Sequence, residues 1–204
     1  MGTVAIVDYG VGNLKSVANA LSYLGCSSCI TADPAELERA DAIILPGVGA
    51  FPDAADRLRS GGLDQHVLAQ GQKKPVLGIC LGMQLLLEQG REVRPCPGLG
   101  VIRGTVDRIP TQSKLPHIGW NSLRFFHHSP LFRGLDEGAY VYFVHSFSAQ
   151  DTDPAQVIAV TDYGPAVTAA VSSGNFYGTQ FHPEKSSKYG LKILENFAKL
   201  GKEA

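Results

Sequence analysis

The 204-residue sequence holds one Trp, two Met, four Cys and no long apolar run. Its most apolar stretch, Pro75 to Leu87, is 13 residues and contains Gln84, short of the roughly 18 that a membrane span requires. No charge of either sign dominates: 18 Lys+Arg stand against 19 Asp+Glu, net −1. That balance argues against nucleic acid and membrane surfaces as partners. No basic residue precedes the opening run Val4-Ala5-Ile6-Val7, so no secretory leader is expected and a cytoplasmic location is. Cys26, Cys29, Cys80 and Cys96 are too few and too irregular for a disulfide scaffold. Cys26 and Cys29 form a C-x-x-C, but they follow a helix stop at Gly25 and enter a strand. A redox pair needs a helix N-terminus, and a zinc site needs a second ligand pair. Two packed thiols in a reducing compartment are the expectation.

What is present suffices for one domain. At 44% apolar residues, a chain of this length buries about 70% of its unfolded surface without staples. The first half alternates short apolar runs with helical patterns, the mark of βαβ units and a parallel sheet. Strands are expected at Thr3–Tyr9, Cys29–Thr31, Ala42–Leu45 and Pro75–Ile79. Asn13 is placed to cap a helix with Leu14, Val17, Ala18, Leu21 and Leu24 on one face, ending at Gly25. Asp33-Pro34-Ala35-Glu36 reads as a capping-box start. A helical stretch from Pro52 to about Gln70 is interrupted at Gly61-Gly62, and Leu81–Gln89 reads as another helix. After Gly98 the pattern turns to strands at Leu99–Ile109, His117–Phe126, Tyr140–Phe147, Val157–Thr161, Ala166–Val171 and Asn175–Phe181. A last helix covers about Lys188–Leu200. The fold class is therefore α/β: an open, twisted, mostly parallel sheet flanked by helices, with antiparallel additions in the second half.

Gly78-Ile79-Cys80-Leu81-Gly82 lies between an apolar strand and a helix, the G-x-nucleophile-x-G elbow with Cys for Ser. A side chain at either flanking position would collide with neighbouring backbone on so sharp a turn, hence the two glycines. The turn lifts the sulfur above the sheet edge at a helix N-terminus, where unpaired N–H groups favour negative charge. A small buried residue at a strand end would have the same sequence. His182-Pro183-Glu184 follows a strand, and a carboxylate two residues on can orient an imidazole acting as general base. Pro183 restricts both neighbours, although an ordinary turn reads the same way. Both elements end strands, and ligands of open α/β sheets bind beyond the carboxyl ends of strands. Cys80, His182 and Glu184 can therefore meet although about a hundred residues separate them. Pro46-Gly47-Val48-Gly49, after another strand, can present N–H groups to an anionic oxygen or be a plain βα turn.

Other constellations are thinner. Gly10-Val11-Gly12 with Asp33 mimics half of a dinucleotide fingerprint, but Lys15 occupies the third glycine position. His127 and His128, adjacent on an expected strand, would face opposite ways and could not share a metal. His66 and His117 are expected to be solvated or packed.

Together these segments resemble the class I (triad) glutamine amidotransferases. Asp8-Tyr9-Gly10-Val11-Gly12-Asn13-Leu14, Pro46-Gly47-Val48-Gly49, Gly78-Ile79-Cys80-Leu81-Gly82-Met83-Gln84 and His182-Pro183-Glu184-Lys185-Ser186 occur in the family's order. Pro116-His117-Ile118-Gly119-Trp120-Asn121 and Tyr142-Phe143-Val144-His145-Ser146-Phe147 are similar to the branch that serves histidine biosynthesis. The resemblance covers nearly the whole chain and implies a flavodoxin-like amidotransferase domain over residues 1–204. It implies hydrolysis of L-glutamine by a Cys80–His182–Glu184 triad, with Leu81 and the Gly47-Val48 segment holding the oxyanion. Gln84, Glu92, Ser146 and Phe147 would bind glutamine, Glu92 meeting its ammonium.

Ammonia must travel unprotonated to remain a nucleophile, so a partner should dock over the site. In this branch the partner is a (β/α)8-barrel cyclase acting on a phosphoribosyl-formimino carboxamide ribonucleotide, in a heterodimer. Trp120 and Asn121 would lie at the docking face, with Tyr142 and Lys185 near the tunnel mouth. No cofactor and no metal are implied. The rival readings are the glutaminase of a pyridoxal phosphate, anthranilate or GMP system, a stand-alone cysteine hydrolase of related fold, and an idle binding module.

Overall fold

A computed structural model describes residues 2–203. The elements in chain order are β1 (Thr3–Val7), α1 (Leu14–Tyr23), β2 (Ser27–Thr31), α2 (Pro34–Arg39), β3 (Ala42–Gly47), α3 (Phe51–Ser60), α4 (Leu63–Gly71), β4 (Val76–Cys80) and α5 (Leu81–Leu85). There follow β5 (Leu87–Gly90), β6 (Cys96–Pro97), β7 (Ile102–Arg108), β8 (His117–Ser122), β9 (Arg124–Phe125), β10 (Tyr140–His145) and β11 (Phe147–Gln150). The chain closes with β12 (Val157–Asp162), β13 (Ala166–Ser173), β14 (Phe176–Thr179) and α6 (Ser187–Glu203).

The main sheet has the order β2-β1-β3-β4-β14-β13-β12-β9. Its first five strands are parallel, and β13, β12 and β9 extend it antiparallel. Both faces are covered, which is why the parallel strands read as unbroken apolar runs. Ile6, Ile44 and Ile79 point to a core shared with Leu21 of α1 and Phe197 of α6. Ala5, Val7, Ile43 and Leu45 point to the other, with Phe51, Leu58, Val67 and Met83. Two smaller sheets, β10-β8 and β11-β7-β5-β6, stand beside the main one. Among the described residues no helix is long and apolar enough to cross a membrane.

Several boundaries differ from expectation. The helix expected to run to Gln89 stops at Leu85, because the backbone from Leu87 onward pairs with β7 in place of continuing the helical ladder. The carbonyl of Leu86 instead accepts from the N–H groups of Val101 and Ile102, and Leu87 opens β5. The strand expected to end before Pro46 continues to Gly47, held by the pairing of Pro46 with Ile79 and Gly47 with Cys80. The expected Tyr140–Phe147 strand divides at Ser146, and His117–Phe126 divides at Leu123, because the two halves join different sheets. His127 and His128 lie in a loop beyond β9, outside any strand. Asn13 occupies the N-cap position of α1 without capping it; its Oδ1 accepts from the Ser16 hydroxyl. Half of the capping box forms: Asp33 accepts from Ala35 N–H, while the Asp33 N–H goes to Thr31 Oγ1 instead of Glu36.

Candidate active site

Cys80 is the last residue of β4 and the N-cap of α5, held at φ +55°, ψ −109°. Such a backbone is costly for a residue with a Cβ and persists only where the surroundings over-determine it. Here they do. A Cβ on Gly78 would lie 2.5 Å from the Gly82 carbonyl oxygen, and one on Gly82 would overlap the Leu45 carbonyl of β3. The two glycines thus let helix and strand approach closely enough to form the bend. The opening of α5 faces Cys80 from the next residue, with Leu81 N–H at its free end.

On the other side of β4 runs β14, with Thr179 opposite Ile79. The chain leaves it through Gln180, Phe181 and His182. The His182 N–H donates to the Tyr142 carbonyl at 3.0 Å, and the Ser186 hydroxyl donates to the His182 carbonyl at 2.6 Å. His182 Nδ1 is 2.8 Å from Glu184 Oε1, and both side chains are nearly sealed from water. Glu184 Oε2 is buried without a hydrogen-bond partner, so His182 is the outlet for that carboxylate's charge. Burial works against a charged imidazole, yet hydrogen bonds to Cys80 and Glu184 and their negative charge outweigh it. The His182 pKa rises from 6.5 to about 9. Sulfur, imidazole and carboxylate thus stand in series, an arrangement able to shuttle one proton during nucleophilic attack.

Cys80 and His182 line one cavity of about 390 Å3 together with Val48, Gly49, Leu81, Gln84, Glu92, Ser146 and Phe147. Gly47 pairs with Cys80 across β3 and β4. Tyr9 donates its hydroxyl to the Pro46 carbonyl at 2.7 Å, and a Cβ on Gly47 would lie 2.8 Å from that hydroxyl. Burial, and next the negative charge of Cys80, push the Tyr9 phenol up, so it remains a donor. Tyr9 therefore anchors the segment that runs into the exposed Val48. Glu92 reaches the cavity with one carboxylate oxygen accepting from Phe51 N–H at 2.8 Å, at the start of α3. Among the described residues no group of three or more His, Cys, Asp or Glu side chains could hold a metal ion.

A chain of hydrogen bonds backs the cavity. The Phe147 carbonyl accepts from Gln84 Nε2 at 3.1 Å and from His145 Nδ1 at 2.8 Å. His145 Nε2 faces His117 Nδ1 at 3.1 Å, and His117 Nε2 faces Asn121 Nδ2 at 3.3 Å. A carbonyl can only accept, so Nδ1 of each ring carries the hydrogen and both imidazoles are neutral. Burial is the main cause of the low His145 pKa, about 4, and His117 is lowered by the same cause. His117 is also stacked between Phe143 and Tyr163. It is a packed histidine, as expected.

The residues assigned to a docking face separate into two sets. Trp120 is 52% exposed and edge-on to Tyr142, which pairs with it across β8 and β10; Ile118 and Tyr140 are exposed on the same strands. Lys185 is exposed on the short turn after His182. Asn121 points inward instead, donating to the Asp162 carbonyl at 2.9 Å as well as facing His117. Successive strand residues face opposite ways, so Trp120 and Asn121 cannot share a surface.

Gln180, His145, Asn121 as an inner link and Tyr9 were not singled out for these contacts by sequence reasoning. Only position could have flagged Gln180: it sits two residues before His182, just past the strand beside the elbow.

Residues 5–200 match the family model described as glutamine amidotransferase class-I. The chain is 48% identical over 197 residues to the imidazole glycerol phosphate synthase subunit HisH of Bacillus cereus, covering 95% of this chain and 93% of that protein. It is 46% identical over 198 residues to the protein of the same name from Oceanobacillus iheyensis, covering 97% and 98%. Among solved structures it is similar to one described as a glutamine amidotransferase, with TM-score 0.76, 20% identity and coverage of 97% and 98%. At that identity the likeness concerns the fold.

Proposed function

This chain belongs to the class-I glutamine amidotransferase family, and from that premise we propose that it is the glutaminase subunit of an imidazole glycerol phosphate synthase. It hydrolyses glutamine to glutamate and ammonia in the cytoplasm, for histidine biosynthesis. The observation that carries the reading is Cys80, bent out at φ +55°, in one cavity with a His182 that is hydrogen-bonded to Glu184.

The Cys80 sulfur attacks the side-chain carbonyl carbon of glutamine, with the thiol proton passed to His182. Leu81 N–H and the Gly47–Val48 peptide take the oxyanion, each such donor worth about 2.7–4 kcal/mol of barrier. The C–N bond then breaks as His182 protonates the departing nitrogen, giving ammonia and a thioester. Water activated by His182 cleaves the thioester and frees glutamate. Glu184 holds the imidazole tautomer throughout. Gln84, Ser146 and Phe147 bound the substrate, and Glu92 takes its ammonium through the oxygen that Phe51 leaves free.

The relatives carry the name of a synthase subunit, and the second subunit is a (β/α)8-barrel cyclase that docks over the cavity mouth and receives the ammonia. Trp120, Ile118, Tyr140 and Tyr142 supply an apolar, aromatic surface of the type that anchors interfaces. Lys185 borders it. Near half identity over nearly the whole chain favours this acceptor over the GMP, anthranilate and pyridoxal phosphate systems.

The test measures ammonia release from glutamine with and without the cyclase subunit and its phosphoribosyl ligand. A low rate alone that rises steeply with the liganded partner is expected, and Cys80→Ala removes it while the fold persists. A high rate independent of any partner, or turnover in Cys80→Ala, contradicts the assignment.

A further inference from the structure

We propose that Gln180 is a further catalytic residue, whose side-chain amide donates to the Cys80 sulfur at one end and is oriented by accepting from the Gln84 amide at the other. The proposal rests on the glutaminase reading above and concerns the same cavity. Gln180 is fully buried one residue beyond β14. Its Nε2 lies 3.7 Å from Cys80 Sγ, and its Oε1 lies 3.0 Å from Gln84 Nε2.

The polarity of this chain is forced from its far end. The Phe147 carbonyl has no hydrogen to give, so Gln84 must turn its NH2 toward it; the reverse would set two oxygens face to face. The second hydrogen on Gln84 Nε2 then meets Gln180, which must answer with its oxygen. That leaves the Gln180 NH2 for the sulfur. An N–H donor held in a dry site stabilises negative charge on the atom it faces, without reorganising when that charge appears.

The same chain decides what Gln84 can recognise. Both of its N–H groups are spent inside the protein, and its Oε1 has no partner among the described residues although the side chain lines the cavity. Gln84 therefore meets the substrate as an acceptor and selects an N–H group, not a carboxylate. Simple packing would be served as well by an apolar side chain of the same length, because a buried amide is tolerated only when its partners are in place.

The test uses the full chain, with the synthase partner present for turnover. In Gln180→Met the length is kept and both polar ends are removed. Alkylation of Cys80 by iodoacetamide, in which sulfur displaces iodide and no glutamine is involved, is followed by peptide mass and is expected to slow about tenfold. The kcat for glutamine falls by a similar factor, and KM rises as Gln84 loses its anchor. In Gln84→Met, alkylation of Cys80 slows as well, since Gln180 loses the donor that holds its oxygen away from the sulfur. Wild-type alkylation in either variant overturns the proposal, and if Gln180→Met does not fold, Gln84→Met decides alone. Failure of the wild-type complex to hydrolyse glutamine would strike the glutaminase reading instead, leaving the alkylation comparison intact.

Discussion

Glu184 grips His182 from only two residues away: Pro183 bends the chain so that Oε1 comes within 2.8 Å of Nδ1, and neither side chain meets solvent. The short span makes base and orienter one rigid unit. Replacing Glu184 by Gln keeps the shape but offers His182 an amide that can impose the wrong tautomer. A loss of roughly three to four orders of magnitude in kcat is expected, measured as ammonia release in the complex, with little change in KM. A loss below tenfold would show that His182 needs no orienting carboxylate.

The two buried imidazoles give opposite pH slopes. His182 is raised from 6.5 to about 9, so the folded state holds its proton where the unfolded chain has lost it. Its contribution, on the order of 3 kcal/mol, is fully present below pH 6.5 and is lost as pH climbs through 9. His145 is lowered to about 4, so stability is lost as pH falls from 6.5 through 4, where only the unfolded chain takes a proton. Urea unfolding across pH 4 to 9.5 is expected to peak near 6.5. Cys80 and Glu184 both raise His182, so Glu184→Gln makes the alkaline limb shallower without abolishing it, and His145→Asn flattens the acid limb; limbs that ignore these changes would place the titrations elsewhere.

Two glycine-to-alanine changes separate crowding from backbone preference. Gly82→Ala sets a methyl group into the Leu45 carbonyl and is expected to cost about 3 kcal/mol or more, with loss of soluble protein. Gly25→Ala meets nothing within 4 Å and bears only its φ of +70°, about 1–2 kcal/mol. Thermal unfolding of the pair gives the ranking, and an equal cost would mean the elbow can relax.

Trp120→Ala tests the docking face. Trp120 is half exposed and contributes little to the core, so the isolated chain should unfold within about 0.5 kcal/mol of wild type. Affinity for the cyclase subunit, read by titration calorimetry, should fall roughly tenfold or more. A destabilised monomer with unchanged affinity would make this tryptophan structural.

The sequence was legible where local chemistry dictates backbone. The elbow glycines, Pro34 at the first position of α2 and the βαβ alternation each place an element through sterics or periodicity, and the structure has all three. It was not legible where tertiary pairing overrides the local signal. Leu85, Leu86 and Leu87 read as helix until β7 arrives to pair with β5, and Pro46 reads as a strand stop until β4 carries β3 past it. Within the site, Cys80, His182 and Glu184 carry reactive groups that identify themselves. Gln180 and His145 owe their contacts to which atoms the fold sets opposite them, and one-dimensional spacing gives at most the nearness of Gln180 to His182.

The strand order β3-β4-β14 has a temporal consequence. In chain order β4 precedes β14 by about a hundred residues, so the thiol is translated well before the imidazole. Until that late strand slots in, β4 is an unprotected margin whose sulfur has neither base nor amide beside it. The pairing of sulfur with imidazole is thereby a property of the completed sheet and of no single segment of the chain.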